Sequence, residues 1–191
     1  MLPGAIFCRA RLWSCDMGDF WVFGYGSLIW KPGFDYAEAR RAHLYGYRRA
    51  LCIYSFVHRG TSERPGLVLG LDRGGSCVGM AFRVEAASRE AVIAYLRERE
   101  QVNNVYIERS LPVRLDNGER AAAIAYVADR SHSQYAGALD ETAAAAMVRG
   151  AAGQSGPNED YVANTVRHLQ ALGIRDHWLE DVERRIGLQA Q

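Results

Sequence analysis

The chain has 191 residues, with 23 lysines and arginines against 22 aspartates and glutamates, so its formal net charge is +1 at pH 7. This balance gives no electrostatic reason to expect a nucleic acid or an anionic membrane as partner. Hydrophobic residues make up 49% and charged residues 24% of the chain, a composition that excludes a disordered or fibrous protein. No apolar run approaches the roughly 18 residues that suggest a transmembrane helix, and the first residues are too polar for a secretory signal.

Residues 1–18 show no hydrophobic periodicity, and Met17 stands just before the first strong strand signal. We expect these residues to be an N-terminal extension, either ahead of a natural start at Met17 or forming a poorly ordered arm. The rest of the chain, residues 19–191, is expected to form one domain.

Strand signals dominate the first two thirds of the chain. Residues 20–24 read FWVFG, an aromatic and β-branched run that predicts a buried strand. Further strands are predicted at about 43–54, 67–71, 77–84, 110–115 and 121–128, separated by turn clusters such as 72–75 (DRGG) and 116–118 (DNG).

One helix is predicted among the strands, from about Ser88 to about Gln101, and three follow them at about 139–150, 158–172 and 176–187. Strands followed by helices, without β-α-β alternation, indicate an α+β fold. We expect a small, mostly antiparallel β-barrel or curled sheet flanked by helices.

The four cysteines are Cys8, Cys15, Cys52 and Cys77. They form no CxxC pair and no metal-ligand spacing with histidine, and the histidines form no HExxH motif. We therefore predict reduced thiols, as in a cytoplasmic protein, and no metal site.

The loop after the first strand contains Gly24, Tyr25 and Gly26. A dinucleotide-binding GxGxxG motif would need a glycine where Ile29 stands, and a nucleophile elbow around Ser27 would need glycines at positions 25 and 29. Two interpretations are left open. The free backbone N–H groups of the loop could form an anion-binding nest, or the glycines could serve only a tight turn with positive φ.

Glu100 is the acid with the most unusual predicted environment. At 100° per residue, Val92, Ile93 and Leu96 mark the apolar face of the predicted helix, and Glu100 projects with them, whereas Glu98 faces water. Burial and the negative end of the helix dipole would both raise the pKa of Glu100, which suits a general base near neutral pH.

Two plainer interpretations of Glu100 are open at this point. The helix could end early and leave the carboxylate in solvent, or Glu100 could form an ion pair with Arg97 or Arg99.

Five ordered segments together carry a family resemblance. They are residues 21–30 (WVFGYGSLIW), 46–49 (GYRR), 59–60 with 64–66 (RG and RPG), 95–96 with 99–100 (YL and RE), and 153–158 with Tyr161 (GQSGPN and Y). In this order they closely resemble the ChaC family of glutathione-specific γ-glutamylcyclotransferases, from about residue 19 to the C-terminus.

The resemblance implies that glutathione is the small-molecule partner and is split into 5-oxoproline and cysteinylglycine, without metal or cofactor. It implies a compact barrel flanked by helices, and it places the family's catalytic glutamate on Glu100. The residues that it implies for substrate binding are Val22, Phe23, Gly24, Tyr25, Gly26, Ser27, Leu28, Arg49 and Tyr106.

Three questions stay open in the sequence. The substrate could instead be another γ-glutamyl amine or amino acid, or the chain could be a non-catalytic γ-glutamyl sensor. Arg59 lies in a polar turn, where it is either a solvated charge or a contact for the glycine carboxylate of glutathione. The oligomeric state is open between a monomer and a weak dimer.

Overall fold

A computed structural model describes residues 18–100 and 104–188. The expectations for residues 1–17, including a start at Met17, and for the end of the first helix at Gln101 lie outside these ranges. None of the helices within them is both long and apolar enough to cross a membrane.

Five strands close into a barrel in the order β1-β3-β2-β4-β5. Four neighbouring pairs are antiparallel, while β5 runs parallel to β1 and touches β3 in parallel at one position. The predicted α+β fold with a small, mostly antiparallel barrel is confirmed. The strands are β1 (Phe20–Gly24), β2 (Glu38–Ser55), β3 (Gly66–Val84), β4 (Tyr106–Leu115) and β5 (Arg120–Ala128).

All four predicted helices are present, with starts and described ends within about two residues of the predicted positions. Asp140 caps α2 by accepting a hydrogen bond from the N–H of Ala143 at 2.7 Å, and Asp176 caps α4 through the N–H of Leu179 at 3.1 Å. The helices are α1 (Arg89–Glu100), α2 (Glu141–Val148), α3 (Asn158–Ala171) and α4 (His177–Gly187), and a two-stranded ladder of β6 (Ala152–Gly153) and β7 (Gly156–Pro157) precedes α3.

The prediction of separate strands at 67–71 and 77–84 is wrong, because β3 runs through both as one strand. The turn-like residues between them form an irregularity in the pairing with β2, where the register shifts between Tyr45 and Tyr47. Gly74 and Gly75 have φ values of 102° and 68°, which glycine adopts without strain.

Asp72, which opens this predicted turn, is completely buried in the continuous strand. Its carboxylate accepts hydrogen bonds from Arg130 at 2.7 Å, Arg48 at 3.3 Å and the hydroxyl of Tyr135 at 3.1 Å. Because the charge is paired and hydrogen-bonded, an aspartate can occupy the strand interior.

The core has two main parts on opposite sides of β1. Phe23 belongs to the larger cluster, which also contains apolar residues of α2, α3 and α4, whereas its strand neighbour Val22 belongs to a second cluster with Leu96 of α1. Cys52 and Cys77 are buried free thiols, as predicted, and Cys8 and Cys15 belong to the part of the chain that is not described.

Candidate active site

One cavity of about 290 Å³ is lined both by the end of α1 and by the loop that follows β1. Its volume is at the lower end for small-molecule sites. It is lined by Tyr25, Gly26, Ser27, Leu28, His58, Arg59, Val68, Leu69, Glu100, Tyr106, Tyr126, Ser155 and Tyr161.

The loop after β1 forms one wall of the cavity. A 3-10 turn spans Ser27–Ile29, and its N–H bonds begin at Ile29, which donates to the Gly26 carbonyl at 2.9 Å. The N–H groups of Gly26, Ser27 and Leu28 donate to no acceptor among the described residues. The geometry agrees with an anion-binding nest.

Neither of the two glycines of this loop serves a positive φ, and at Gly24 the glycine is explained by lack of space. Neither Gly24 nor Gly26 is among the residues with positive φ, so the interpretation as a positive-φ turn is wrong. A Cβ on Gly24 would lie 3.1 Å from the Cβ of Leu28 and 3.3 Å from the ring of Phe82. The glycine therefore allows the loop to fold back onto the end of β1.

Glu100 forms part of the opposite wall. Its side chain is 17% exposed, and burial raises its pKa, although the neighbouring guanidinium of Arg99 acts in the opposite direction. The predicted inward orientation is confirmed, and Glu98 is exposed as predicted. Of the two possible ion-pair partners, Arg99 lies 3.1 Å from Glu100, while Arg97 pairs with Glu108 at 2.8 Å.

Arg99 connects the two walls of the cavity. Its guanidinium donates to the hydroxyl of Ser27 at 2.8 Å, to the carbonyl of Lys31 at 2.7 Å and to the hydroxyl of Tyr95 at 2.9 Å. Sequence analysis placed Arg99 in a family segment and named it as a possible ion-pair partner of Glu100, but did not predict its contact with the loop. Its position one turn after Tyr95 was the available local signal, but the contact with Ser27 spans 72 residues.

Three tyrosines line the cavity, Tyr25 buried and Tyr106 and Tyr161 partly buried, and desolvation raises the pKa of each. The pKa of Tyr161 is raised to about 12, so its phenol stays protonated near neutral pH. Tyr106 donates to the carbonyl of Leu69 at 2.8 Å, and Tyr161 accepts from the N–H of the same residue at 3.2 Å. Sequence analysis placed Tyr161 in a family segment without giving it a role.

The rim of the cavity is formed by two segments joined through their backbones. The N–H of Ser155 donates to the carbonyl of His58 at 2.9 Å, and Arg59 donates to the carbonyl of Ser155 at 2.6 Å. A Cβ on Gly153 would lie 2.4 Å from the carbonyl oxygen of Val57, which explains the glycine. Arg59 thus lines the site and is not simply a solvated charge.

Val22, Phe23 and Gly24, expected among the binding residues, do not line the cavity. The side chains of Val22 and Phe23 are completely buried in the two core clusters, and Gly24 has no side chain and lies against Leu28. Successive side chains of a strand point to opposite faces, so Val22 and Phe23 pack in the two different core clusters. They anchor the strand that precedes the loop, and neither side chain reaches the cavity.

Arg49 also lies behind the loop and not in the cavity. Its side chain is 2% exposed, and it donates to the carbonyls of Tyr25 at 2.6 Å and Val78 at 2.7 Å and to the carboxylate of Asp176 at 2.6 Å. All three nitrogens of the guanidinium are engaged. The structure corrects the expectation of a pocket residue, since Arg49 fixes the backbone of Tyr25 instead.

Comparison with known proteins identifies the family of this chain. The ChaC-like protein family matches residues 20–189. This chain belongs to the ChaC-like family. The glutathione-specific γ-glutamylcyclotransferase of Escherichia coli (strain K12) is 32% identical over 181 residues, covering 95% of this chain and 76% of the relative. That of Schizosaccharomyces pombe is 35% identical over 198 residues, covering 91% and 95%.

The fold of this ChaC-like chain also matches a solved structure. The crystal structure of a γ-glutamyl cyclotransferase specific to glutathione from yeast superposes with a TM-score of 0.80 at 22% identity. The match covers 91% of this chain and 100% of that chain. It confirms the barrel and its flanking helices.

Proposed function

We propose that this ChaC-like protein cleaves glutathione by cyclising its γ-glutamyl group, which yields 5-oxoproline and cysteinylglycine. The observation that carries the proposal is that one cavity is lined both by a partly buried acid, Glu100, and by loop N–H groups that have no acceptor among the described residues. Relatives named for this activity support it.

The reaction needs no nucleophile from the protein. The α-amine of the glutamyl group attacks its own γ-carbonyl carbon, an N–C bond closes the five-membered ring, and the amide C–N bond to cysteine breaks. Neither Cys52 nor Cys77 lines the cavity. Burial raises the pKa of their thiols to about 12 and about 11 respectively, so both are poor nucleophiles near neutral pH.

The protein must hold the glutamyl chain bent, with the amine nitrogen about 3 Å from the carbonyl carbon. Such orientation can lower the barrier by roughly 7–11 kcal/mol. The N–H groups of Gly26, Ser27 and Leu28 are suited to the α-carboxylate, because a charged acceptor strengthens each hydrogen bond. Anchoring this carboxylate fixes the end of the chain that carries the amine.

Glu100 transfers the proton. The α-amine is an ammonium at neutral pH, so it must lose a proton before it attacks, and the departing amide nitrogen must gain one. A carboxyl group with a raised pKa can accept the first proton and deliver it to the leaving nitrogen. The α-nitrogen loses two protons in all, because the lactam nitrogen keeps only one of the three. The nitrogen of cysteine takes up two, the first as the amide C–N bond breaks and the second to become the ammonium of cysteinylglycine. Glu100 can carry the two protons in turn and returns to its ionised state.

Arg59 and His58 at the rim are placed to attract the glycine carboxylate of glutathione, which favours the tripeptide over an uncharged γ-glutamyl amine.

We place the reaction in the cytoplasm, since buried free thiols such as Cys52 fit a reducing compartment.

The test is mass-spectrometric detection of 5-oxoproline from glutathione and from γ-glutamylalanine. We expect release from glutathione at the higher kcat/KM, and release that survives thiol alkylation. Preference for γ-glutamylalanine would instead favour a cyclotransferase for γ-glutamyl amino acids. Binding of glutathione without any turnover at high enzyme concentration would favour a sensor.

A further inference from the structure

Beside the cavity, a short stretch of β3 at Leu67 and Leu69 pairs with another described strand on one edge only. At this point β3 pairs with β2, Leu67 opposite Tyr54 and Leu69 opposite Leu51. Its pairing with β1 begins only at Met80, and its single pairing with β5 is at Leu71. Leu67 and Leu69 therefore have backbone groups on the other edge that side chains must satisfy.

Side chains from α3 and β4 form hydrogen bonds with the free backbone groups of this edge. The amide of Asn158 accepts from the N–H of Leu67 at 2.6 Å and donates to its carbonyl at 2.8 Å. At Leu69 the same two backbone groups are divided between two tyrosines. Tyr161 accepts from the N–H at 3.2 Å, and Tyr106 donates to the carbonyl at 2.8 Å.

The spacing of Asn158 and Tyr161 fits the strand that they cover. Three residues along a helix advance about 4.5 Å, whereas two residues along a strand advance about 6.6 Å. The longer side chain of Tyr161 makes up the difference and brings its hydroxyl to Leu69 at the wall of the cavity.

The two hydrogen bonds leave the two hydroxyls with different capacities. A phenol has one proton to donate, and Tyr106 already donates its proton to Leu69, so towards a ligand it can only accept. Tyr161 uses its oxygen as the acceptor, and its proton is donated to no acceptor among the described residues. Towards a ligand Tyr161 is therefore a donor.

We infer that the two tyrosines have opposite roles in the reaction proposed above: Tyr161 donates to the γ-carbonyl oxygen as negative charge develops on it, and Tyr106 accepts from the substrate α-ammonium. Both hydroxyls and Glu100 line the same cavity, as the inference requires. Neither hydroxyl gives up its proton, since the proton of the ammonium goes to Glu100.

The surroundings of Tyr161 strengthen it as a donor. The guanidinium carbon of Arg59 lies 5.3 Å from the centre of the Tyr161 ring. A cation at this distance withdraws charge from the ring and polarises the O–H bond. A preorganised donor of this kind is most effective where the carbonyl oxygen becomes an oxyanion.

The experiment compares Tyr161→Phe and Tyr106→Phe with Tyr25→Phe and with the control Tyr36→Phe. Tyr36 is 45% exposed and lies outside the cavity. Each variant is assayed for kcat and KM with glutathione. The inhibition constant of glutarylcysteinylglycine, which lacks the α-amine, is measured in parallel.

We expect Tyr161→Phe to lower kcat by about 100-fold or more with little change in KM, because the donor acts chiefly in the transition state. Tyr106→Phe should raise KM by about tenfold and leave the inhibition constant of the glutaryl compound unchanged. A purely structural role would weaken both ligands equally.

Retention of wild-type kcat by Tyr161→Phe, or a loss confined to Tyr25→Phe, would overturn the donor role. Equal weakening of both ligands by Tyr106→Phe would overturn the acceptor role. If Tyr161→Phe does not fold, 3-fluorotyrosine at this position keeps the shape and acidifies the hydroxyl, so an unchanged kcat would also overturn the donor role. Absence of 5-oxoproline with the wild type would contradict the proposed function itself.

Discussion

The guanidinium of Arg99 lies 3.1 Å from the carboxylate of Glu100 at a position where both side chains are mostly buried. Burial raises the pKa of Glu100, and the cation beside it limits that rise. The same guanidinium holds the hydroxyl of Ser27 on the opposite wall. Arg99 therefore influences both the position of the loop and the readiness of Glu100 to accept a proton.

Removal of the Arg99 charge should move the acid limb of the pH profile. The limb of kcat/KM reports the ionisation of Glu100 in the free enzyme, and loss of the cation raises its pKa further. We expect Arg99→Gln to shift the limb to higher pH, whereas Arg99→Lys, which keeps a positive charge, shifts it less. A limb at the same or lower pH in Arg99→Gln would contradict this assignment.

The stability of Glu100→Gln should depend on pH in a defined direction. The folded protein holds the Glu100 proton more tightly than the unfolded chain, so ionisation destabilises the fold at pH values above its raised pKa. The penalty disappears below the ordinary pKa of 4.5, where both states are protonated. Urea unfolding should therefore show that Glu100→Gln gains stability over the wild type at pH 7 and that the gain shrinks as the pH falls towards 4.5. A constant difference across this range would argue against a burial effect.

Loss of Arg49 should destabilise the fold strongly and weaken substrate binding. Arg49→Gln breaks a buried pair with Asp176 and releases the carbonyl of Tyr25, and such changes typically cost about 3–5 kcal/mol. Arg175→Gln is the matched control, because its pair with Glu180 joins a side chain that is 63% exposed and should change stability by less than about 1 kcal/mol.

Both arginine variants are measured by urea unfolding, and their KM for glutathione is compared. Equal losses of stability in Arg49→Gln and Arg175→Gln would show that Arg49 does not hold the loop.

A methyl group on Gly79 should disturb the end of β1. Its Cβ would lie 2.3 Å from the carbonyl oxygen of Gly24 and 2.8 Å from the ring of Phe23. We expect Gly79→Ala to cost about 1–3 kcal/mol and to lower kcat/KM, because the site loop follows Gly24. Gly187→Ala in α4 has no atom within 4 Å of the added Cβ and should be neutral or stabilise by up to about 1 kcal/mol. Thermal unfolding compares the two variants, and a neutral Gly79→Ala would contradict the close packing.

Local patterns predicted the parts of the fold that depend on neighbouring residues. The helical phase placed Glu100 inward, and Asp176 caps α4 at the start that was predicted for this helix. The prediction of a turn at 72–75 was wrong, because Arg48 and Arg130, both distant in sequence, neutralise Asp72 inside a continuous strand.

The supporting parts of the site depend on contacts between distant segments. Arg49 reaches Tyr25 and Asp176, and Tyr161 reaches Leu69 across 92 residues. Motif likeness could mark these residues as important, but only the packing of α3 and α4 on the barrel shows whether each lies in the cavity or behind it.

The most direct test of the account is the turnover of Glu100→Gln beside Glu98→Gln, two neutralised acids that lie two residues apart on α1. Glu100→Gln should still bind glutathione but release 5-oxoproline at least about 100-fold more slowly, the lower range for a positioned acid–base group. Glu98→Gln, at an exposed position, should match the wild type. Wild-type turnover in Glu100→Gln, or a dead Glu98→Gln, would contradict the central claim that the buried acid moves the proton.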